Sequence, residues 1–490
     1  MTTLFAKRTL SFSAAAVLAL APIASGIAPQ GTLPAAQAQS VSSIDNSQAL
    51  SLTIHKRIGA EGAQGDGTEI QSPTGTPGIG IKYKVELVRP LNTAADWEAA
   101  AGIKDASAAT AWAGQGAYSQ EQTTNQSGEA NFANLAKGLY KVTETEVPEN
   151  SGLVPGAPFL VYVPMTNPDN TGWIYNVHAY PKNSEVTVEK KVEDQDKQSG
   201  EEYKYTISSG IPTGETITKY IVRDTLNEAL DAAGANVTVS LGTDEESATP
   251  LQAGTDYNVT KSGQQIEVVF TETGRGKLVG KSNQKVFTSI TTKTTKFVEH
   301  VPNDATLIVN NGSSESDTEK KSNEVHTYWG QVVVHKVDGD SNQNLQGAEF
   351  QVVKCQAGNG GYQQVGDDAL TINGEKTFTT NDQGLVSIKG IHVTDFADNT
   401  EKQSDYCLKE TKAPEGYVGN DQLIHFELRK DQYQEGQPES IKYTAEVKNY
   451  TDSNRLPNTG GAGFIGLVLA GLAIIGGGAF WAVRNSRRSN

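Results

Sequence analysis

Short runs of alternating apolar and polar residues recur along this 490-residue chain, broken by clusters of Gly, Asn, Asp and Pro. A period of two is the signature of a strand with one buried face. Clear cases are residues 52–56, 186–190 and 332–336. A helix is predicted over 94–109, an Ala-rich stretch containing Trp97. Many short strands separated by turn signals predict an all-β chain made of Ig-like sandwiches rather than a parallel sheet. The three quoted runs also form a degenerate repeat. Each ends in lysine, and each opens a segment of roughly 120 to 145 residues, a normal domain size. Boundaries follow near Asn183-Ser184 and Trp329-Gly330. The expected order is three tandem β-sandwich domains at 46–183, 184–329 and 330–450, then a linker over 451–455.

Strand alternation assigns faces. Leu52, Ile54, Lys56 and Ile58 share one face, as do Val186, Val188, Lys190 and Val192, and Val332, Val334 and Lys336. Each face is apolar and should be buried, which carries its lysine inward. A buried, unpaired ammonium is costly, so it deprotonates or finds a partner. Carboxylates occur in matching phase: Glu144 with Tyr140 and Val142, Asp224 with Tyr220 and Val222, and Glu410 with Tyr406 and Leu408. Each segment then ends in a strand with an inward asparagine. Asn183 aligns with Val177 and Ala179, Asn323 with Val325 and Thr327, and Asn449 with Ile441, Tyr443, Ala445 and Val447. Two readings fit these triplets. One is a buried lysine–carboxylate ion pair with a hydrogen-bonded asparagine. The other is a self-formed isopeptide bond, in which a neutral lysine attacks the asparagine carboxamide while the acid polarises it.

The two ends of the chain carry further signals. Lys7 and Arg8 precede an apolar stretch over 14–27 and then Ala36-Gln37-Ala38, which predicts a signal peptide over 1–38. At the other end, Leu456-Pro457-Asn458-Thr459-Gly460 precedes an uncharged apolar run over 461–483 and Arg484, Arg487 and Arg488. The run is long enough to span a bilayer, with the arginines on the cytoplasmic side. A permanent transmembrane anchor is the simpler reading. The whole tail, 456–490, resembles the cell-wall sorting signal of Gram-positive surface proteins. That resemblance implies a sortase that attacks the Thr459 carbonyl, releases the Gly460 side and passes the thioester to an amine.

Charge narrows the partners. The formal net charge is −16. The two end segments hold five basic and no acidic residues, so 36 basic against 57 acidic residues remain between them, a net of −21. Such a surface argues against nucleic acid. Two cysteines in an exported chain suggest one disulfide, Cys355 with Cys407, against two free thiols. The seven histidines are scattered, and no HExxH, GxSxG or metal-spaced cysteine pair appears. Asp338-Gly339-Asp340-Ser341-Asn342 lacks the later glutamate of an EF-hand and reads as a turn. No enzyme activity beyond self-directed cross-linking, no cofactor and no metal are expected.

A wider resemblance covers the mature chain. Leu408-Lys409-Glu410-Thr411 with Ala413-Pro414-Glu415-Gly416-Tyr417 resembles the pilin E-box. Residues 332–350 resemble a Cna B-type domain, and Lys190, Ile221-Val222-Arg223-Asp224 and Asn323-Glu324-Val325 resemble the Cna A-type variant. Trp173-Ile174-Tyr175-Asn176-Val177-His178-Ala179-Tyr180-Pro181-Lys182 resembles the pilin motif, with Ala179 where the family has Val. The chain is similar to the major backbone pilins of corynebacteria and actinomyces. The resemblance implies a sortase-polymerised shaft in which Thr459 of one subunit is joined to Lys182 of the next. It implies cross-links Lys56–Asn183 with Glu144, Lys190–Asn323 with Asp224, and Lys336–Asn449 with Glu410. Implied partners are identical subunits, pilus-specific and housekeeping sortases, peptidoglycan, minor tip and base pilins, and a host receptor. The competing reading is a monomeric wall-anchored adhesin for host matrix or glycan, which needs no acceptor lysine.

Overall fold

The computed structural model describes residues 43–59, 65–169, 172–181 and 183–452. The signal peptide, Lys182, the sorting motif and the expected transmembrane segment 461–483 lie outside the described residues. Among the described residues no helix is long and apolar enough to cross a membrane.

The first sandwich packs a three-stranded sheet on a four-stranded one. In the smaller sheet β1 (Ser51–His55) is central, between Glu129–Ala133 and a late strand; in the larger, β2 (Gly138–Glu146) is central with Lys82–Pro90. The late strand, β3 (Asn176–Ala179), runs parallel to β1 with Leu52 opposite Val177 and Ile54 opposite Ala179. Leu52, Ile54, Tyr83, Val85, Phe132 and Tyr140 fill the space between the sheets. The predicted helix is shorter than the Ala-rich stretch. α1 covers only Ala94–Ala101, with Thr93 as a capping-box N-cap, and it stops at Gly102. Beyond Gly102, Ile103, Ala106 and Ala109 pack on a small satellite core without helical structure. Alanine propensity is a weak prior, and the glycine stops the helix before it reaches those residues.

The second sandwich has two five-stranded sheets. β4 (Val188–Glu193) is an edge strand of one, and β5 (Lys219–Thr225) is the central strand of the other. β6 (His300–Asn303) pairs with the start of β7, a 14-residue strand spanning Val325–Asp338. The second half of β7 belongs to the third sandwich, where it pairs with Leu385–His392 and runs parallel to the last strand. One unbroken strand thus crosses the expected boundary at Trp329-Gly330. Gly330 is required there, because a Cβ would lie 2.7 Å from Ile441 Cγ2 and 3.0 Å from its carbonyl oxygen. In the third sandwich β8 (Tyr406–Lys412) lies in the sheet facing β7 and β9 (Lys442–Asn449). Cys355 and Cys407 form a disulfide with Cα atoms 5.9 Å apart, tying β8 to the neighbouring strand Glu349–Gly358. The Asp338 turn forms as the sequence predicts, with Asp338 Oδ1 accepting from the Asp340 and Ser341 amides.

Candidate functional site

The three lysines read from strand phase are the most deeply buried lysines of the described chain. Lys56, Lys190 and Lys336 are 0, 2 and 0 % exposed, while the polar Lys191 next to Lys190 is exposed. Burial lowers the pKa of all three ammonium groups, against the opposing pull of Glu144 on Lys56, of Asp224 and Asp304 on Lys190, and of Glu410 on Lys336. This favours the neutral amine, the nucleophilic form.

In the first domain the triplet is complete. Lys56 Nζ donates to Glu144 Oε2 at 3.1 Å and to Asn183 Oδ1, and Asn183 Nδ2 donates to Glu144 Oε1 at 2.6 Å. Tyr83 donates its hydroxyl to Glu144 Oε2 at 3.2 Å. In the third domain Lys336 Nζ lies 3.0 Å from Glu410 Oε1, and Asn449 Nδ2 donates to Glu410 Oε2 at 3.0 Å and to the Val418 carbonyl at 2.7 Å. Asn449 Oδ1 has no hydrogen-bond partner although the residue is fully buried. The two sites share a backbone brace. The Lys56 amide donates to the Gly128 carbonyl and the Lys336 amide to the Gly384 carbonyl, each at 2.7 Å. Both glycines have positive φ (+77° and +66°), and a Cβ on either would approach the lysine carbonyl to within 2.5 Å.

The second domain differs from the sequence expectation. Lys190 Nζ meets Asp224 Oδ2 at 2.5 Å and the Asp304 carbonyl at 3.0 Å, over the Tyr205 ring. Burial raises the Asp224 pKa, with Lys190 pulling the other way, so its protonated form is favoured relative to a free aspartate. Asn323, however, is exposed, and its carboxamide is occupied by the Lys190 backbone. Oδ1 accepts from the Lys190 amide at 2.9 Å and Nδ2 donates to the Lys190 carbonyl at 3.0 Å. The inward phase assigned to Asn323 fails because β7 begins only at Val325, so the alternation through Val325 and Thr327 does not reach back to it. The buried carboxamide is Asn303, 3 % exposed at the end of β6. It lies beside Asp224, whose ionised form it favours, yet neither Oδ1 nor Nδ2 makes a hydrogen bond of good geometry, and Asp224 Oδ1 is likewise unpartnered. Two buried polar groups side by side without partners call for a chemical explanation. The sequence did carry the signal: Val301, Asn303, Ala305 and Leu307 alternate as a buried face.

The stretch resembling the pilin motif is described up to Pro181. Val177 is buried against Leu52, Trp173 donates its indole N–H to Ser43 Oγ at 2.9 Å, and β3 ends at Ala179. His178 and Tyr180 stack on His55 on the outer side of the sheet, with centroids 5.1 and 4.7 Å apart.

Comparisons with known proteins agree with this architecture. Residues 47–184 match the Gram-positive pilin subunit D1 N-terminal domain, 330–440 the SpaA prealbumin-like fold domain, and 448–490 the LPXTG cell wall anchor motif. The chain is 31 % identical to the type 1 fimbrial subunit of Actinomyces viscosus over 539 aligned positions, covering 100 % of this chain and 99 % of the relative. The chain belongs to the fimbrial subunits of Gram-positive bacteria. The type 2 fimbrial subunit of Actinomyces naeslundii is also 31 % identical, over 83 % of this chain and 84 % of its own length. The full-length major pilin SpaD from Corynebacterium diphtheriae matches with a TM-score of 0.66 at 32 % identity, covering 84 % of this chain and 99 % of SpaD. The protein is thus a pilin, a shaft subunit of a cell-wall-anchored surface pilus.

Proposed function

We propose that this fimbrial subunit is polymerised head to tail by a sortase that joins Thr459 of one copy to Lys182 of the next, and that each of its three sandwiches, 46–183, 184–329 and 330–450, closes its own Lys–Asn isopeptide bond. The bonds are Lys56–Asn183, Lys190–Asn303 and Lys336–Asn449, promoted by Glu144, Asp224 and Glu410. The observation that carries the cross-linking reading is the threefold recurrence of a buried lysine–carboxylate pair beside a carboxamide. An ion pair alone needs no carboxamide beside it; a nucleophile with its electrophile does.

The chemistry balances without a cofactor. The neutral lysine Nζ attacks the asparagine Cγ, giving a tetrahedral centre beside the carboxyl group. The C–Nδ2 bond breaks, the nitrogen leaves as ammonia carrying protons relayed by the acid, and a secondary amide remains. The polymerising step is also an amide formation: the Lys182 amine displaces the sortase cysteine from Thr459. The domains are structural, and the carboxylates act once.

Intact mass of the secreted chain tests the cross-links. Three bonds predict a deficit of three ammonia relative to the sequence, and the plain sequence mass refutes them. Lys182→Ala tests the polymer: high-mass ladders in wall extracts should vanish while secretion continues. Ladders that persist in that variant remove Lys182 from its role and leave the cross-links untouched.

A further inference from the structure

The joint between the second and third sandwiches holds a buried ion pair that neither cross-linking nor polymerisation uses. The loop after β4 inserts polar residues into the third sandwich: Asp194, Gln198 and Ser199 are 0, 0 and 1 % exposed. Ser199 N donates to the Gly390 carbonyl at 2.9 Å, and Asn373 N donates to the Ser199 carbonyl at 2.6 Å. Asp194 and Asp398 exchange bonds across the joint. The Asp194 amide donates to Asp398 Oδ1 at 2.9 Å, and the Asp398 amide donates to Asp194 Oδ1 at 2.7 Å.

His392, 1 % exposed, sits at the centre of this contact, edge-on to Trp329. Its two ring nitrogens face two groups that only accept. Nδ1 lies 3.0 Å from the Val393 carbonyl, and Nε2 lies 3.3 Å from Asp194 Oδ2. Nε2 makes no hydrogen bond of good geometry, but a carboxylate at ion-pair distance in a buried site favours a proton on it beside the one Nδ1 gives to the carbonyl, which together make the imidazolium. The local charges point the same way. Asp196 is paired with Lys354 at 2.8 Å and Asp398 with Lys402, so Asp194 is the carboxylate left for His392. Thr327 adds a hydroxyl donor to Asp194 but no charge.

We propose that His392 is a buried imidazolium that bolts the third sandwich to Asp194 of the second, and that removing its proton unlocks the joint. The sign follows from linkage. Asp194 raises the His392 pKa despite burial, so the contribution is fully present below the ordinary histidine value and is lost as pH rises through the raised one. Asp194 is held below the ordinary aspartate range, so the same contact is also lost on the acid side as pH falls through that lowered value.

Two measurements on the intact secreted chain test the bolt. Histidine-selective NMR should show one imidazolium that persists above neutral pH; a neutral His392 ring at neutral pH overturns the proposal, whatever the variants do. Hydrogen exchange of peptides covering 194–200 and 390–399, corrected for intrinsic pH dependence, should lose its protection as pH is raised through the His392 titration. His392→Gln should exchange fast at every pH. Wild-type protection retained in that variant, or a flat pH profile in the native chain, also overturns the bolt.

Discussion

Asn303 and Asn323 offer a sharp test of the proposed chemistry, because Asn323 touches the Lys190 backbone whereas Asn303 lies beside Asp224, the partner of the Lys190 amine. Asn323 holds the lysine backbone from the surface, whereas Asn303 brings a buried, unpartnered carboxamide to the carboxylate that grips Nζ. Asn303→Ala should therefore restore one ammonia to the intact mass, and Asn323→Ala should leave the mass deficit unchanged. A tryptic map joining Lys190 to Asn323 would reverse the assignment. Asn449→Ala isolates the bond in the third domain, since it spares the Lys336–Glu410 pair. The lost cross-link closes a loop of about 110 residues, so the unfolded chain gains entropy worth about 4–5 kcal/mol. For a domain of this size that lowers the melting temperature by about 15–20 °C, read by scanning calorimetry. An unchanged melting temperature would mean that no bond had formed at that site.

At the level of strands, the braces beneath the lysines are the most exacting feature. Gly384 holds φ +66°, and a Cβ there would stand 2.4 Å from the Lys336 carbonyl oxygen. Gly384→Ala should destabilise the third domain by about 1–3 kcal/mol and slow cross-linking, because the strand carrying Lys336 must shift away from Asn449. Time-resolved mass of freshly refolded protein would show the delay, and wild-type kinetics would exclude it. Much of this level was legible in the sequence. Period-two alternation placed Lys56, Lys190 and Lys336 and all three acids inward, because a strand's faces are set by the backbone alone. Strand ends were not legible in the same way. Asn323 was assigned by extending the phase of Val325 backwards past the point where pairing starts, and the helix over 94–109 was extended through Gly102. Asn323 is held by the Lys190 backbone, a partner segment that local pattern does not encode, whereas the helix ended at a glycine that an alanine-rich composition outweighed. The continuity of β7 across two domains was hidden for a related reason: Trp329-Gly330 reads as a break, yet the glycine is there to admit Ile441.

Across the whole molecule, the proposed linkage decides which bonds bear tension. A pull delivered to Lys182 and taken off at Thr459 passes only through the second and third sandwiches, since the first precedes Lys182 in the chain. Lys56–Asn183 then secures a side branch whose root is one residue from the point of load. In the second sandwich tension crosses from Lys190 to Asn303, and in the third from Lys336 to Asn449. Between Asn303 and Lys336 no covalent shortcut exists, and the load is held by β-sheet pairing, including β6 on the first half of β7. Pulling should therefore release that stretch in one event, with the 27 residues from Asn303 to Gly330 contributing about 80–90 Å of extended chain at about 3.3 Å per residue. Single-molecule force spectroscopy on linked subunits should record this step once per subunit, reversibly, at forces below rupture. Lys56→Ala should leave the step and the rupture force unchanged, whereas Asn303→Ala should lengthen the release to include the loop from Lys190 onward. A cross-link to Asn323 instead would leave only about seven residues free before Gly330, so the length of the step alone distinguishes the two assignments.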